Sequence, residues 1–245
     1  MNDLAEDLSA GQSHDLILTG ERTLPGIEHE NYWFRRHEAA YLALLPFAIG
    51  ARVVEAGSGE GYGAGLLRSV AHTVSALELD PNAALHSAQR YRDVSTVRGN
   101  LAAMPYASGS IGVVACLQTI EHLWDQPQFI AECARVLKPA GTLLMTTPNT
   151  LTFPKGHPFH TRELTMEELV ELLSPHFTVS RRWGLRHGRR LRRGDIIGEQ
   201  IATPQEQWPA SLRRRVAAVR AKDFPVGPFR ASDLDLVVVA VRKPD

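Results

Sequence analysis

Two acidic residues and three alternate glycines carry the first chemistry in this sequence. The apolar pair Val53-Val54 runs directly into Glu55-Ala56-Gly57-Ser58-Gly59-Glu60-Gly61, and a helical pattern (Ala64, Leu66, Leu67, Val70) follows the glycines. A strand that turns through glycines into a helix lets a ligand approach the backbone closely. In an open α/β fold such a turn lies at the carboxyl edge of the sheet, where ligands bind. Glu55 and Glu78 then discriminate between ligands. An acid two residues before Gly57 repels a phosphate and attracts a cationic amino group. Glu78 ends the next apolar run, Val74-Ser75-Ala76-Leu77, about 20 residues downstream, the spacing at which an acid holds a ribose diol. An amine at one end, a ribose at the other and no pyrophosphate fit S-adenosylmethionine better than NAD. No phosphate-loop lysine follows the glycines, which disfavours ATP hydrolysis.

A second group of reactive side chains lies further along. Gln118-Thr119-Ile120-Glu121-His122 follows one apolar run, and Gly156-His157-Pro158-Phe159-His160 lies beyond the next, after Thr147-Pro148-Asn149. Both segments leave the carboxyl edge of neighbouring strands, so Glu121, His122, His157 and His160 are expected to converge beside the glycine loop. A carboxylate with imidazoles binds a divalent metal; an imidazole near neutral pKa removes a proton from a hydroxyl. Both uses are open at this point.

The elements that must position these residues alternate. Strands are expected at Arg52–Glu55, Val74–Glu78, Ser95–Arg98, Ile111–Leu117, Thr142–Thr147, His176–Gly184 and Asp235–Arg242. Helices are expected at Asn31–Phe47, Gly63–Ala71, Asn82–Tyr91, Pro127–Val136 and Thr165–Leu173, with a turn near Leu101–Met104 and a helix near Ala210–Ala221. Alternation at this spacing means right-handed crossovers and a parallel sheet. Thr165 with Glu168 three residues on makes a capping box. The expected architecture is therefore one α/β domain over 19–245, with a cap helix in 19–50, an insertion over 186–230, and a polar, poorly ordered stretch over 1–18.

Composition sets the bounds. The chain has 245 residues, 44% of them apolar, and a formal net charge of zero, which gives no global attraction for nucleic acid. Its two cysteines, Cys116 and Cys133, lie in apolar-periodic segments and read as buried free thiols, in keeping with a reducing, cytoplasmic setting. No apolar run has membrane-spanning length, so no membrane partner is expected.

The sequence resembles the class I S-adenosylmethionine-dependent methyltransferases over roughly Thr19 to Leu173 and again in the last strand. The likeness rests on Glu55 to Gly61, Glu78, Met104-Pro105 with Ser110, and Leu137-Lys138-Pro139-Ala140-Gly141. Such a likeness implies a Rossmann-like sheet, mostly parallel with the last strand antiparallel, and helices on both faces. A narrower likeness lies in Leu18 to Thr23, Glu30 to His37, Ile120 to Gln126 and Pro158 to Leu164. These segments resemble actinobacterial sugar O-methyltransferases of polymethylated polysaccharide assembly, in particular those acting on the 1-hydroxyl of methylmannose chains. By this resemblance Glu55, Gly57, Gly59 and Gly61 hold the methionine end. Glu78 and Leu79 take the ribose, Asn100 and Leu101 border the adenine, and Gln118 lies beside the sulfonium. Asn100 and Gly112 stand where aspartates are common. The segment from Gln118 to His122 resembles an E-x-x-E-H magnesium motif whose first acid is here Gln118. That leaves Glu121, His122 and His160, or His157, as ligands, with Glu121, His122 and His160 also the catalytic candidates.

The expected activity is methyl transfer to a hydroxyl of an oligosaccharide, with a natural-product or other small-molecule hydroxyl as the alternative acceptor and a non-catalytic cofactor-binding module as the third reading. Tyr32, Trp33 and Phe34 either stack on cofactor or sugar or form the buried face of the first helix. The arginines at 181, 182, 186, 189, 190, 192 and 193 are either a solvated face or a contact for an anionic acceptor or a second subunit, and a homodimer is left open.

Overall fold

The computed structural model describes residues 22–193 and 205–244. The expectations for 1–18, for the Leu18–Glu21 motif and for the middle of the insertion lie outside the described residues.

Eight strands form one sheet: β1 (Arg52–Ala56), β2 (Thr73–Glu78), β3 (Ser95–Arg98), β4 (Ile111–Leu117), β5 (Leu137–Pro148), β6 (Phe177–Leu185), β7 (Val226–Pro228) and β8 (Asp235–Arg242), in the order β3-β2-β1-β4-β5-β8-β6-β7. β1 to β5 pair in parallel, whereas β8 runs antiparallel between β5 and β6, and β7 runs antiparallel to β6. This is the Rossmann-like methyltransferase sheet expected from the sequence, with the short β7 added. β7 escaped notice because three residues, Val-Gly-Pro, carry no period. The chain order reverses between β1 and β4, and the cleft opened there at the carboxyl edge is the usual ligand position of such sheets.

Side chains alternate across the central strands and feed two cores. Val53, Val113, Ala115, Val237 and Val239 face α1 (Asn31–Leu44) and α2 (Tyr62–Arg68). Val54, Val114, Cys116, Leu236 and Val238 face α4 (Gln126–Val136) and α5 (Met166–Leu173). Both cysteines are buried and free. Burial on both faces explains why these strands read as continuous apolar runs. α3 (Pro81–Arg90) starts at Asp80, whose Oδ1 accepts from the Asn82 and Ala83 amides at 2.7 and 2.9 Å. α5 starts on the expected capping box of Thr165 and Glu168. The cap helix ends at Leu44 rather than Phe47, because Pro46 has no N–H to continue it, and a 3-10 turn takes over.

The segment after β6 folds back on the cap helix. Asn31 Nδ2 donates to the Val216 and Val219 carbonyls at 2.8 and 3.1 Å, bringing α6 (Ala210–Ala217) against α1. The arginine run divides. Arg181, Arg182, Arg189 and Arg192 are exposed. Arg186 pairs with buried Asp233 (Nη2–Oδ2 2.9 Å), and Arg190 reaches Asp223 at 3.4 Å. Among the described residues no helix is long and apolar enough to cross a membrane.

Gly63, in the first turn of α2, is where the helix touches β1. A Cβ there would fall on Glu55 Oε1 and the Tyr41 hydroxyl, both deeply buried. Gly63→Ala is therefore expected to destabilise the fold by about 1–3 kcal/mol through overpacking. An unchanged denaturant midpoint would mean that this contact relaxes without cost.

Candidate active site

The segments leaving the carboxyl ends of β1, β2, β4 and β5 enclose, with α1, a cavity of about 1140 Å³.

Gly57, Ser58 and Gly59 form one wall. Gly57 has φ +76°, and a Cβ on it would strike the Thr119 side chain, so the loop meets the end of β4 as closely as backbone allows. Glu78 fixes this loop. Its Oε2 accepts from Gly59 N at 2.7 Å, and its Oε1 accepts from Leu79 N and Asp80 N at 2.9 Å each. Leu79, Asn100, Leu101 and Gln118 all line the cavity, as expected.

Glu55 and Gly61 need correction, because neither is on the wall. Glu55 is completely buried one layer behind: its Oε1 accepts from the Tyr41 hydroxyl and its Oε2 has no partner. Burial pushes its carboxyl up to about 8, against the opposing bond from Tyr41. A carboxyl so placed braces the loop from behind. Gly61 packs on Ser87 and Tyr91. Of the acids between Glu55 and Gly61, Glu60 is the one that lines the cavity.

The opposite wall holds the histidines. Glu121 and His122 lie in a 3-10 turn after β4 (Ile120–His122), and the 157–160 loop is stitched to it: the Thr161 amide donates to the Glu121 carbonyl at 2.8 Å, and Thr161 Oγ1 donates to the Leu123 carbonyl at 2.7 Å. One oxygen of Glu121 and one nitrogen each of His122 and His160 all lie within 4.8 Å of one another. Each of these two rings has its outer nitrogen engaged. His122 Nδ1 is 3.0 Å from the Phe159 carbonyl oxygen, and His160 Nδ1 is 2.8 Å from Glu163 Oε1. A carbonyl only accepts, so His122 Nδ1 carries the proton. The carboxylate selects the same tautomer at His160. Burial, against the pull of Glu163, lowers the His160 pKa. Burial pushes Glu121 up to about 8 although Thr147 Oγ1 donates to it at 2.9 Å. His157 also lines the cavity, its ring 4.1 Å from that of His160 and its Nδ1 without a partner. Gln118 holds φ +52°, a sparsely populated conformation for a side-chain-bearing residue, at the junction of the two walls.

The aromatic cluster separates. Trp33 lines the cavity. Tyr32 and Phe34 are in the core, and the Tyr32 hydroxyl lies 2.7 Å from His187 Nε2, which corrects Tyr32 as a substrate contact. Sequence reasoning gave no role to Arg36, His37 or Tyr41, which also line the cavity. With Trp33 they follow the 3–4 residue spacing of one helix face, and that stripe was the available signal. Arg36 is buried and paired with Asp235, Nε to Oδ2 at 2.7 Å. His37 is pushed down to about 4 by burial, so it is uncharged at neutral pH.

Residues 54–145 match the methyltransferase domain family. A relative from Mycolicibacterium smegmatis, described as a probable S-adenosylmethionine-dependent methyltransferase, is 46% identical over 245 residues, covering 93% of this chain and 95% of the relative. The chain belongs to the S-adenosylmethionine-dependent methyltransferases. A Mycobacterium tuberculosis protein of the same description is 46% identical over 93% of this chain and 90% of its own. The crystal structure of an S-adenosylmethionine-dependent methyltransferase from Mesorhizobium loti shares the fold, with a TM-score of 0.56 and 16% identity over 84% of this chain and 98% of that one. Glu78, Leu79, Leu101 and Ser58 share the wall of the methyltransferase cavity, and Ser58 Oγ has no hydrogen-bond partner.

Proposed function

We propose that this methyltransferase methylates a saccharide hydroxyl, with a divalent cation held by Glu121, His122 and His160. The observation that carries the reading is the pair of imidazoles anchored through Nδ1, one to a carbonyl and one to a carboxylate. That outer-shell arrangement is typical of metal-ligating histidines. In the transfer the S–CH3 bond breaks, the O–CH3 bond forms and the hydroxyl proton leaves for a base. A cation bound there would lower the hydroxyl pKa. With two imidazoles engaged, His157 is the ring left to take the proton. If no ion binds, His160 is the first candidate and His122 the second.

Two imidazoles and one carboxylate suit a borderline cation such as manganese better than magnesium, which favours oxygen ligands. Gln118 in place of an acid removes the ligand that would have made the set oxygen-rich. The saccharide assignment rests on the motif likeness in Glu30 to His37 and Pro158 to Leu164, and methylmannose chains are the first acceptors to test. Methyl transfer is measured against manno- and gluco-oligosaccharides before and after exhaustive chelation. Full activity after chelation overturns the cation, and failure of every saccharide overturns the acceptor class.

Cation affinity should depend on pH with a definite sign. Glu121, at about 8, is protonated at neutral pH and must release that proton to bind an ion. Apparent affinity is therefore expected to climb about tenfold per pH unit below 8 and to level off above it. Calorimetry showing a pH-independent affinity through that range would remove Glu121 as a ligand.

A further inference from the structure

Among the described residues only Gln118 and Ala140 carry a side chain and hold a positive φ, and of the two Gln118 lines the cavity. Backbone in this region persists where its surroundings over-determine it, and such places cluster at functional sites. The surroundings of Gln118 do hold it. Its backbone N–H donates to the Thr146 carbonyl at 2.9 Å, and its side-chain Nε2 donates to Thr146 Oγ1 at 3.2 Å and to Asp235 Oδ1 at 3.4 Å. Thr146 and Asp235 are buried behind the cavity wall. A carboxylate only accepts, so the atom facing Asp235 is nitrogen, and the planar amide turns Oε1 the other way. Oε1 has no hydrogen-bond partner among the described residues.

Gln118 stands where the two walls join. On one side its neighbour Thr119 donates through Oγ1 to the Gly57 carbonyl at 3.4 Å, and on the other Glu121 and His122 follow in the next turn. A methyl group passing from a cofactor on the glycine wall to a hydroxyl beside the histidines crosses this junction. Its donor is a sulfonium cation. When the S–CH3 bond breaks, the electron pair stays on sulfur and the product is a neutral thioether, so the charge that distinguishes donor from product lies at this spot. An amide oxygen neither gives nor takes a proton at neutral pH, but its partial negative charge favours a cation over a neutral sulfur. Asp235 adds little to that field, because Arg36 donates to both of its oxygens.

We infer that the Gln118 side-chain oxygen faces the sulfonium, with Thr146 and Asp235 as its positioning residues, and that this arrangement makes the protein favour S-adenosylmethionine over its demethylated product. Only the cofactor of the family is needed for this, whichever hydroxyl accepts the methyl. The test is calorimetric: the ratio of Kd for S-adenosylhomocysteine to Kd for S-adenosylmethionine, with chelator present and no acceptor. Gln118→Met, of similar length but without the dipole, is expected to lower that ratio about threefold, and Gln118→Glu to raise it about tenfold. Gln118→Gly takes a positive φ without strain, so its melting temperature should hold and its ratio should fall as in Gln118→Met. Thr146→Val should lower the ratio in the same direction, with Thr146→Ser restoring it. A ratio within about twofold of wild type throughout the Gln118 series overturns the sulfonium contact, even if both ligands bind more weakly. A Thr146→Val ratio equal to wild type overturns the positioning role.

Discussion

Replacing His160 with alanine is expected to lower turnover at saturating cofactor by about 10²–10⁴-fold and to leave cofactor affinity nearly unchanged. A sugar hydroxyl is a poor nucleophile until its proton is withdrawn, and His160 stands with its Nδ1 fixed by Glu163 and its ring against His157. The same loss is expected whether the Nε2 lone pair takes the proton directly or holds a cation that acidifies the hydroxyl. A double variant separates these uses. If His122 and His160 ligate one ion, either single substitution empties the site, and His122→Ala/His160→Ala is no worse than each alone. If they act independently, the losses multiply. Near-normal turnover in both single variants across the pH profile would make the cluster structural.

Glu78→Ala is expected to weaken S-adenosylmethionine binding by roughly 2–3 kcal/mol, the worth of losing charge-assisted hydrogen bonds to two ribose hydroxyls. The three amides that Glu78 accepts from show why the effect is large. Without the carboxylate, the Gly59 amide loses its partner and the loop its fixed position. Calorimetry on the folded variant decides: unchanged cofactor affinity would remove Glu78 from the ribose site.

The legible parts of this protein are those written locally. A strand ending in an acid and glycines, a second acid one strand later, and apolar runs long enough for doubly covered strands located β1 to β6 and β8 and most of the wall residues. Glu121, His122, His157 and His160 share one wall because they leave neighbouring strand ends, and topology alone brings such segments together. What escaped depends on depth or on distant partners. Glu55 has the right position in sequence, yet Gly63 and Tyr41 close over it. Nothing in the local sequence tells an acid on a wall from an acid behind one. Tyr32 and Trp33 differ only in which way a helix turns, and that is set by the segment around His187 and Phe224. Arg36 reads as a surface residue until its partner 199 positions away, Asp235, is known.

That pairing bears on how the protein is made. Asp235 opens β8, which is inserted between β5 and β6 rather than added at an edge. Until that strand leaves the ribosome, β5 has an unpaired flank, Arg36 has no counter-charge, and the cap helix is not pinned over the cavity. Domains of this kind assemble as units once their parts have emerged. A chain short of β8 is thus expected to bind cofactor poorly, and the unpaired backbone edge of β5 is what a chaperone would meet in the interval.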